Sequence, residues 1–426
     1  MRWSPWRTLH LVTTLAVGSL VDEGGLDMVR ARRRTWHSIV ALSCLFGTGM
    51  PGLSRAGAQQ TTAQAGMDQG RLSRIPARMN EFVATNAIPG AVTLVTRHGV
   101  VASLEAVGYQ DWDAKVPMRT DAIFQVRSMT KPVTAVAILI LLEDGRLLLT
   151  DPVERYLPEF RDQTIHDRQE KPRRPITIRD LLTHTSGIAA PAPTQVTDVP
   201  LAMSTLADLV NLVARRPLEF EPGTRWAYSD TGFLTLGRIV EVASGQPYEQ
   251  FVATRILEPL GMTNSFFVPP AEKRGRIVAT HVFENGTWRN VYADLYPPGA
   301  KLSSPAFGMH STAEDMAAFY QMMLNRGVHQ GGQFLSISSI DMMTAVHTAD
   351  LQAGFSPGMG WGLGLEIVRE RTGMLPVGAF GHGAASSSYA WVDSQKDLVG
   401  VILVIARGAG NVRDTFVTLA EAAAGR

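Results

Sequence analysis

An α/β layer assembled from both ends of the chain, with an all-helical segment inserted between them, is the fold class this sequence predicts. Three observations carry it. Strand-like runs rich in Val, Leu and Ile lie near the N-terminal side (Ala91 to Val107) and again near the C-terminal side (Trp361 to Ile405). The stretch from Asp151 to about Leu295 is helical in pattern, broken by prolines and poor in strand-like runs. A helical run, Thr415 to Ala424, closes the chain. Strands at the two ends with helices between them are the signature of one layer built from both termini.

Taken in order, Leu72 to Ala87 reads as a helix, and Ala91 to Thr96 and Val100 to Val107 as strands joined by a turn at Arg97-His98-Gly99. Val133, Val136, Ala137, Ile140 and Leu141 recur at helical spacing, which predicts an amphipathic helix that stops at Asp144-Gly145. Pro132 is tolerated only in a first turn, so it fixes the start of that helix beside Ser128. Leu206 to Val213, Gly232 to Ala243 and Tyr248 to Leu257 are the clearest helices of the middle segment. Trp361 to Val368, Ser388 to Val392 and Leu398 to Ile405 read as strands, the last two joined by a turn at Ser394-Gln395-Lys396-Asp397.

The 426 residues carry 40 basic and 39 acidic side chains, a formal net charge of +1, and 45% hydrophobic content. That suffices for a large core and gives no electrostatic footprint for nucleic acid or an acidic membrane surface. Arg30, Arg32, Arg33 and Arg34, the apolar run Ile39 to Phe46, and Ala56-Gly57-Ala58 read as a basic region, a short hydrophobic region and a cleavage signal. Cleavage after Ala58 and export to the periplasm or beyond are expected, with Met28 the true start and residues 1–27 an upstream extension. Neither apolar run of this region reaches the length of a membrane span. The sole cysteine, Cys44, falls in the leader, so the mature chain is expected to hold no disulfide, no Cys nucleophile and no thiolate metal site. The histidines are scattered and no metal-ligand spacing appears. The expected organisation is a leader with its extension at 1–58, a linker at 59–70, α/β halves at 71–165 and 301–426, and a helical domain at 166–300.

Ser128-Met129-Thr130-Lys131 is the chemically suggestive feature. A Ser three residues before a Lys shares its face of a helix. Of the six lysines, Lys131 alone has a Ser at that spacing. If the turn is buried, the ammonium is expected to fall from about 10.4 towards neutrality and to accept the hydroxyl proton.

Four further stretches stand in order behind it: Ile176 to Gly187 (ITIRDLLTHTSG), Phe220 to Phe233 (FEPGTRWAYSDTGF), Glu258 to Met262 (EPLGM) and Gly381-His382-Gly383-Ala384. With Ser128-x-x-Lys131 they resemble the serine β-lactamase-like superfamily of class C β-lactamases, D-peptidases and family VIII carboxylesterases, from about Leu72 to the C-terminus. The resemblance implies a β-lactamase/transpeptidase-like fold, an antiparallel sheet flanked by helices with a helical domain inserted. It implies Ser128 as nucleophile, Lys131 as its base and Tyr228 as the proton relay. A Tyr beside a buried ammonium is expected below about 10. The backbone N–H groups of Ser128 and Ala385 would form the oxyanion hole. Asp230, His382, Gly383 and Ala384 would line the substrate pocket, and no cofactor or metal is needed.

Two positions depart from the penicillin-recognising pattern. His382 stands where those enzymes carry the Lys of K-T-G, and a His is mostly neutral near pH 7. Asp230 stands where an Asn would bind the acylamino side chain, and an ionised carboxylate cannot donate; pairing with Lys131 is expected instead. Both favour a small-molecule ester as substrate, with weak β-lactamase side activity. A true β-lactamase, a D-peptidase, an acyltransferase and a non-catalytic relative are the alternatives. Gly354-Phe355-Ser356-Pro357-Gly358 matches G-x-S-x-G, but its surroundings predict a loop instead of a nucleophile elbow. His184 is expected to be structural, and Trp226 and Trp361 to be pocket wall or core.

Overall fold

The computed structural model describes residues 65–190, 195–196, 199–291, 300–406 and 409–425. The expected leader with Cys44, and the linker up to residue 64, lie outside these residues. Strands β1 (Gly90–Arg97), β2 (Val100–Asp111) and β3 (Val116–Pro117) come from the N-terminal side. The C-terminal side gives β4 (Met359–Trp361), β5 (Glu366–Val368), β6 (Phe380–Gly383), β7 (Tyr389–Asp393) and β8 (Leu398–Val404). They form one eight-stranded sheet in the order β4-β5-β6-β7-β8-β1-β2-β3. Every neighbouring pair is antiparallel. The two ends of the chain meet where β1 pairs with β8, Ala91 opposite Val404 and Arg97 opposite Leu398.

Alternation along the strands sorts side chains to two cores. Val92, Leu94, Val399, Val401 and Leu403 join a core with α2 (Thr130–Glu143), α5 (Asp230–Ser244) and α6 (Ala313–Leu324). Ala91, Val95, Trp391, Ile402 and Val404 face α1 (Arg74–Ala84) and α7 (Val412–Ala423). The short helix α3 (Ile178–Leu182) and α4 (Leu206–Ala214) belong to the segment between the two halves of the sheet. On the α7 side Trp391 lies over Gly400, its cross-strand partner, and its indole N–H donates to Glu421 at 2.8 Å.

Several sequence expectations need correction. The helix expected over residues 72–87 is interrupted at Ser73, between Gln69–Leu72 and α1. Helix α2 is not amphipathic: every residue from Thr130 to Leu141 is buried. Its hydrophobic stripe has apolar neighbours on the other side too, as expected of a helix enclosed by protein. It does end at Glu143, before Gly145 at φ +68°. The strand expected from Trp361 to Val368 is two strands, β4 and β5, because Gly364 at φ +74° reverses the chain and Gly362 N–H bonds the Leu365 carbonyl. Within the segment expected to be helical, Thr280–Glu284 and Thr287–Val291 pair as a hairpin around Asn285-Gly286, both at positive φ. Helix α6, capped by the Thr312 hydroxyl on Asp315 N–H, had no counterpart in the sequence reading. Among the described residues no helix is long and apolar enough to cross a membrane.

Candidate active site

Ser128 is half-buried in a single 3₁₀ turn, Arg127–Met129, that runs directly into α2. Arg127 before it has φ +47°, a left-handed backbone that a side chain with a Cβ seldom adopts. The turn is pinned from behind. Phe124–Gln125 pairs with His310–Ser311, and Val126 N–H donates to the Met309 carbonyl at 3.0 Å. The Thr130 hydroxyl donates to the Arg127 carbonyl at 2.6 Å and accepts from Met309 N–H at 3.2 Å. One turn further on, the Thr134 hydroxyl donates to the Pro305 carbonyl at 2.6 Å. The loop from Pro305 to Met309 is thereby drawn along α2.

That placement brings the Ala306 carbonyl to 2.9 Å from Lys131 Nζ. Lys131 has no exposed surface, and its nitrogen also meets Asp230 Oδ1 at 2.6 Å and Ser128 Oγ at 3.4 Å. The Ser128 contact is the longest of the three, beyond the usual hydrogen-bond range. Burial pushes the ammonium down, but the opposing pull of Tyr228 and Asp230 outweighs it and holds Lys131 above its ordinary value. The expected fall towards neutrality is therefore corrected: in the resting site Lys131 is an ion-paired ammonium. The expected pair of Asp230 with Lys131 is present, and with Tyr228 it outweighs the desolvation on which the expected fall rested.

Asp230 is the first residue of α5, which the Ser229 side chain caps through Gly232 N–H. A carboxylate there gains from the partial positive charge of the helix N-terminus. Tyr228, two residues earlier, turns its ring to Lys131, whose nitrogen lies 4.7 Å from the ring centroid. Burial raises the phenol, and the ammonium only partly offsets it, so Tyr228 is above its usual value. The expected depression below about 10 is corrected: here desolvation outweighs the attraction, the reverse of the balance at Lys131.

His184 holds the Tyr228 segment. It is buried, sits at φ +57°, and its ring centroid is 4.4 Å from that of Tyr228. Its carbonyl accepts from Ala227 N–H at 2.9 Å and its Nδ1 accepts from Ser229 N–H at 3.1 Å. Burial, with Lys131 and His382 nearby, keeps the imidazole pKa well below the usual value, so the ring is neutral. With Nδ1 accepting, the proton sits on Nε2.

His382 lies on β6, which packs against the Ser128 turn. It is almost fully buried, and burial lowers its pKa to about 3. Its Nδ1–H donates to the Gly383 carbonyl at 2.6 Å. His382 backs Tyr228 and Trp361, with centroids 6.2 Å and 5.7 Å away, and has little surface to offer a substrate. Gly383 faces the other side of the sheet, where a Cβ would stand 3.3 Å from Arg413 Nη1. Of the expected pocket residues, Gly383 thus has only backbone to present. Ala384 N–H is used by the Ser388 carbonyl at 2.8 Å, and Ala385 is exposed in the turn that Ser387 N–H closes on the Ala384 carbonyl. The G-x-S-x-G stretch is a turn leading into β4, with Ser356 exposed. Trp226 and Trp361 join Tyr228 and His184 in one aromatic cluster, and Trp361 is fully buried.

The Beta-lactamase family model matches residues 75–424. The chain belongs to the β-lactamase family. Esterase EstB of Burkholderia gladioli is 36% identical over 212 residues, which cover 47% of this chain and 53% of EstB. Penicillin-binding protein 4 of Amycolatopsis lactamdurans is 31% identical over 349 residues, 80% of this chain and 86% of that protein. Among solved structures, EstCE1, a hydrolase with promiscuous acyltransferase activity, superposes with a TM-score of 0.71 at 23% identity, covering 86% of this chain and 99% of that one.

In this serine hydrolase of the β-lactamase family, Ser128, Lys131, Tyr228 and Asp230 meet at one point. One contributor had no signal in the sequence: the Ala306 carbonyl belongs to a loop, Ser303 to Gly308, whose letters mark no chemistry. His184, expected to be structural, holds the backbone of Ala227 and Ser229 on either side of Tyr228.

Proposed function

We propose that the chain is a serine carboxylesterase that hydrolyses short- to medium-chain esters through an acyl-enzyme on Ser128. The observation that carries this reading is the absence of charge at His382: a buried neutral ring stands where penicillin-recognising enzymes place a cation for the substrate carboxylate. Asp230, engaged by Lys131 at 2.6 Å, likewise offers no amide to an acylamino group.

The resting ammonium must shed a proton before it can act as a base. Asp230, whose side chain is 35% exposed, opens the pair to solvent, which takes that proton as pH rises. Lys131 then accepts the Ser128 proton as Oγ attacks the ester carbonyl. The backbone N–H groups of Ser128 and Ala385 would hold the oxyanion. Tyr228, its ring centroid 4.7 Å from the Lys131 nitrogen, passes a proton to the departing alcohol and takes its replacement from Lys131. Water repeats the sequence on the acyl-enzyme. An alcohol in place of water would give acyl transfer from the same intermediate. Export is part of the proposal and rests on the basic and apolar pattern before Ala58.

Turnover of p-nitrophenyl butyrate against a chromogenic cephalosporin tests the reading, with fluorophosphonate labelling of wild type and Ser128→Ala. Ester turnover far above cephalosporin turnover, with labelling lost in the variant, is expected. Preference for the cephalosporin would move the assignment to a β-lactamase, and an unlabelled wild type would remove Ser128 as nucleophile.

A further inference from the structure

Phe355 is 64% exposed, yet its ring centroid lies 5.0 Å from Tyr228, 5.6 Å from Trp226 and 6.3 Å from Trp361. Exposing a phenyl face is unfavourable in water, so its position at the rim of the Tyr228 cluster is unexplained by the core alone. The loop that carries it is anchored. At one end Gly354 lies over Glu366, a residue of β5 that is only 7% exposed: a Cβ on Gly354 would stand 3.7 Å from its Oε1. At the other end the Gly358 carbonyl accepts from both Arg369 N–H and Glu370 N–H at 2.9 Å. Gly354 at φ +86° admits no side chain, because a Cβ would meet Met359 Cβ at 2.6 Å.

We propose that Phe355 determines specificity by receiving, with Trp226, an aromatic group carried on the alcohol half of the ester. The inference rests on the esterase reading above. Tyr228 is the group placed to protonate the leaving oxygen, so whatever that oxygen carries lies on the Tyr228 side of the nucleophile. On that side the rings of Phe355 and Trp226 stand nearly perpendicular, 82° apart, and Phe355 makes 59° with Tyr228. A further ring entering there gains both a face and an edge, the two arrangements that aromatic pairs favour. An alkyl alcohol of similar reactivity gains much less.

The test compares kcat/KM for 2-phenylethyl acetate, propyl acetate and ethyl phenylacetate in wild type, Phe355→Ala and Phe355→Tyr. The first two share an acyl group and an unactivated primary alkoxide; the third moves the ring to the acyl half. Because Phe355 is exposed, the variants are expected to fold. The wild type should prefer 2-phenylethyl acetate. Phe355→Ala should lose about three- to tenfold on that ester, the range of one aromatic pair, and stay within about twofold on the other two. Phe355→Tyr should keep the preference. Equal losses on all three esters, or a loss confined to ethyl phenylacetate, would overturn the proposal while leaving the esterase intact. A wild type that hydrolyses none of them overturns the esterase reading and this inference with it.

Discussion

The imidazole and carbonyl of His184 bracket Tyr228, bonding the backbone N–H of Ser229 through Nδ1 at 3.1 Å and that of Ala227 through the carbonyl at 2.9 Å. With the ring centroid 4.4 Å from that of the phenol, the planes tilted by 36°, three contacts from one residue fix where Tyr228 can point. His184 is therefore a positioning residue. His184→Ala frees the Ser229 N–H and the ring face while leaving the carbonyl bond. The expected result is a fall of about tenfold or more in kcat with KM little changed, since a small displacement of a proton-transfer group is costly. His184→Asn, which can still accept through its amide oxygen, should recover part of the loss. Equal damage in both, matched by equal loss of thermal stability, would reduce His184 to scaffold.

Tyr228→Phe removes one hydroxyl and leaves the ring cluster with Trp226, His184 and Phe355 in place. General acid–base groups contribute about 10²- to 10⁴-fold, so kcat should fall within that range while the melting temperature stays near that of the wild type. Near-normal turnover by the variant would take Tyr228 out of the mechanism.

Buried histidines set an acid limit on stability. Burial lowers His281 and His310 to about 4, His382 to about 3, and holds His184 well below its usual value. An unfolded histidine titrates near 6.5, so below that pH the unfolded chain binds protons that the native state refuses. The stabilisation is complete above about 6.5 and is lost as pH falls towards the folded values, at up to about 1.4 kcal/mol per pH unit for each ring. The melting temperature should drop steeply between pH 6.5 and 4.5. A flat profile across that window would mean these rings are protonated in the native state.

Gly400 faces Trp391 across the β7–β8 pair, and a Cβ there would stand 2.1 Å from the indole ring. The ring is locked by its bond to Glu421 and by Phe416, 5.4 Å away centroid to centroid. Gly400→Ala should cost about 1–3 kcal/mol, as overpacking of a filled core does, read as a lower melting temperature with unchanged kcat. A neutral substitution would show that Trp391 can move aside.

Local features of the sequence reached far into this fold. Pro132 located the start of α2, and the Val, Ile and Leu runs located β1, β2, β7 and β8, because these depend on spacing along one segment. What escaped depends on meetings across the chain. The Ala306 carbonyl that bonds Lys131 lies 175 residues away from it. The Asp230 pairing was legible, but not that Tyr228 and Asp230 together outweigh burial and set the sign of the Lys131 shift. Helix α2 looked amphipathic for a related reason: a Thr such as Thr134 counts as polar by letter, yet here it is buried with its hydroxyl bonded to Pro305 and Tyr248. Phe355 was hidden inside a motif dismissed for its serine.

Asp230→Asn separates the two roles that Lys131 has been given. Burial pulls the ammonium down, and Tyr228 and Asp230 pull it up. The phenol, itself raised by burial, is neutral at pH 7, so Asp230 supplies the full negative charge there. Taking that charge away lets burial win, and the Lys131 pKa falls. In the wild type, the fraction of neutral amine grows as pH rises, so kcat/KM should climb on the alkaline side. In the variant the same climb should occur at lower pH, with activity at pH 7 retained or increased. The stability consequence has the opposite sense. A raised folded-state lysine stabilises below its unfolded pKa, near 10.4, and that contribution disappears as pH rises through the folded value; the variant lacks it at neutral pH. An acid limb that does not move in Asp230→Asn would show that the essential base is a group other than Lys131.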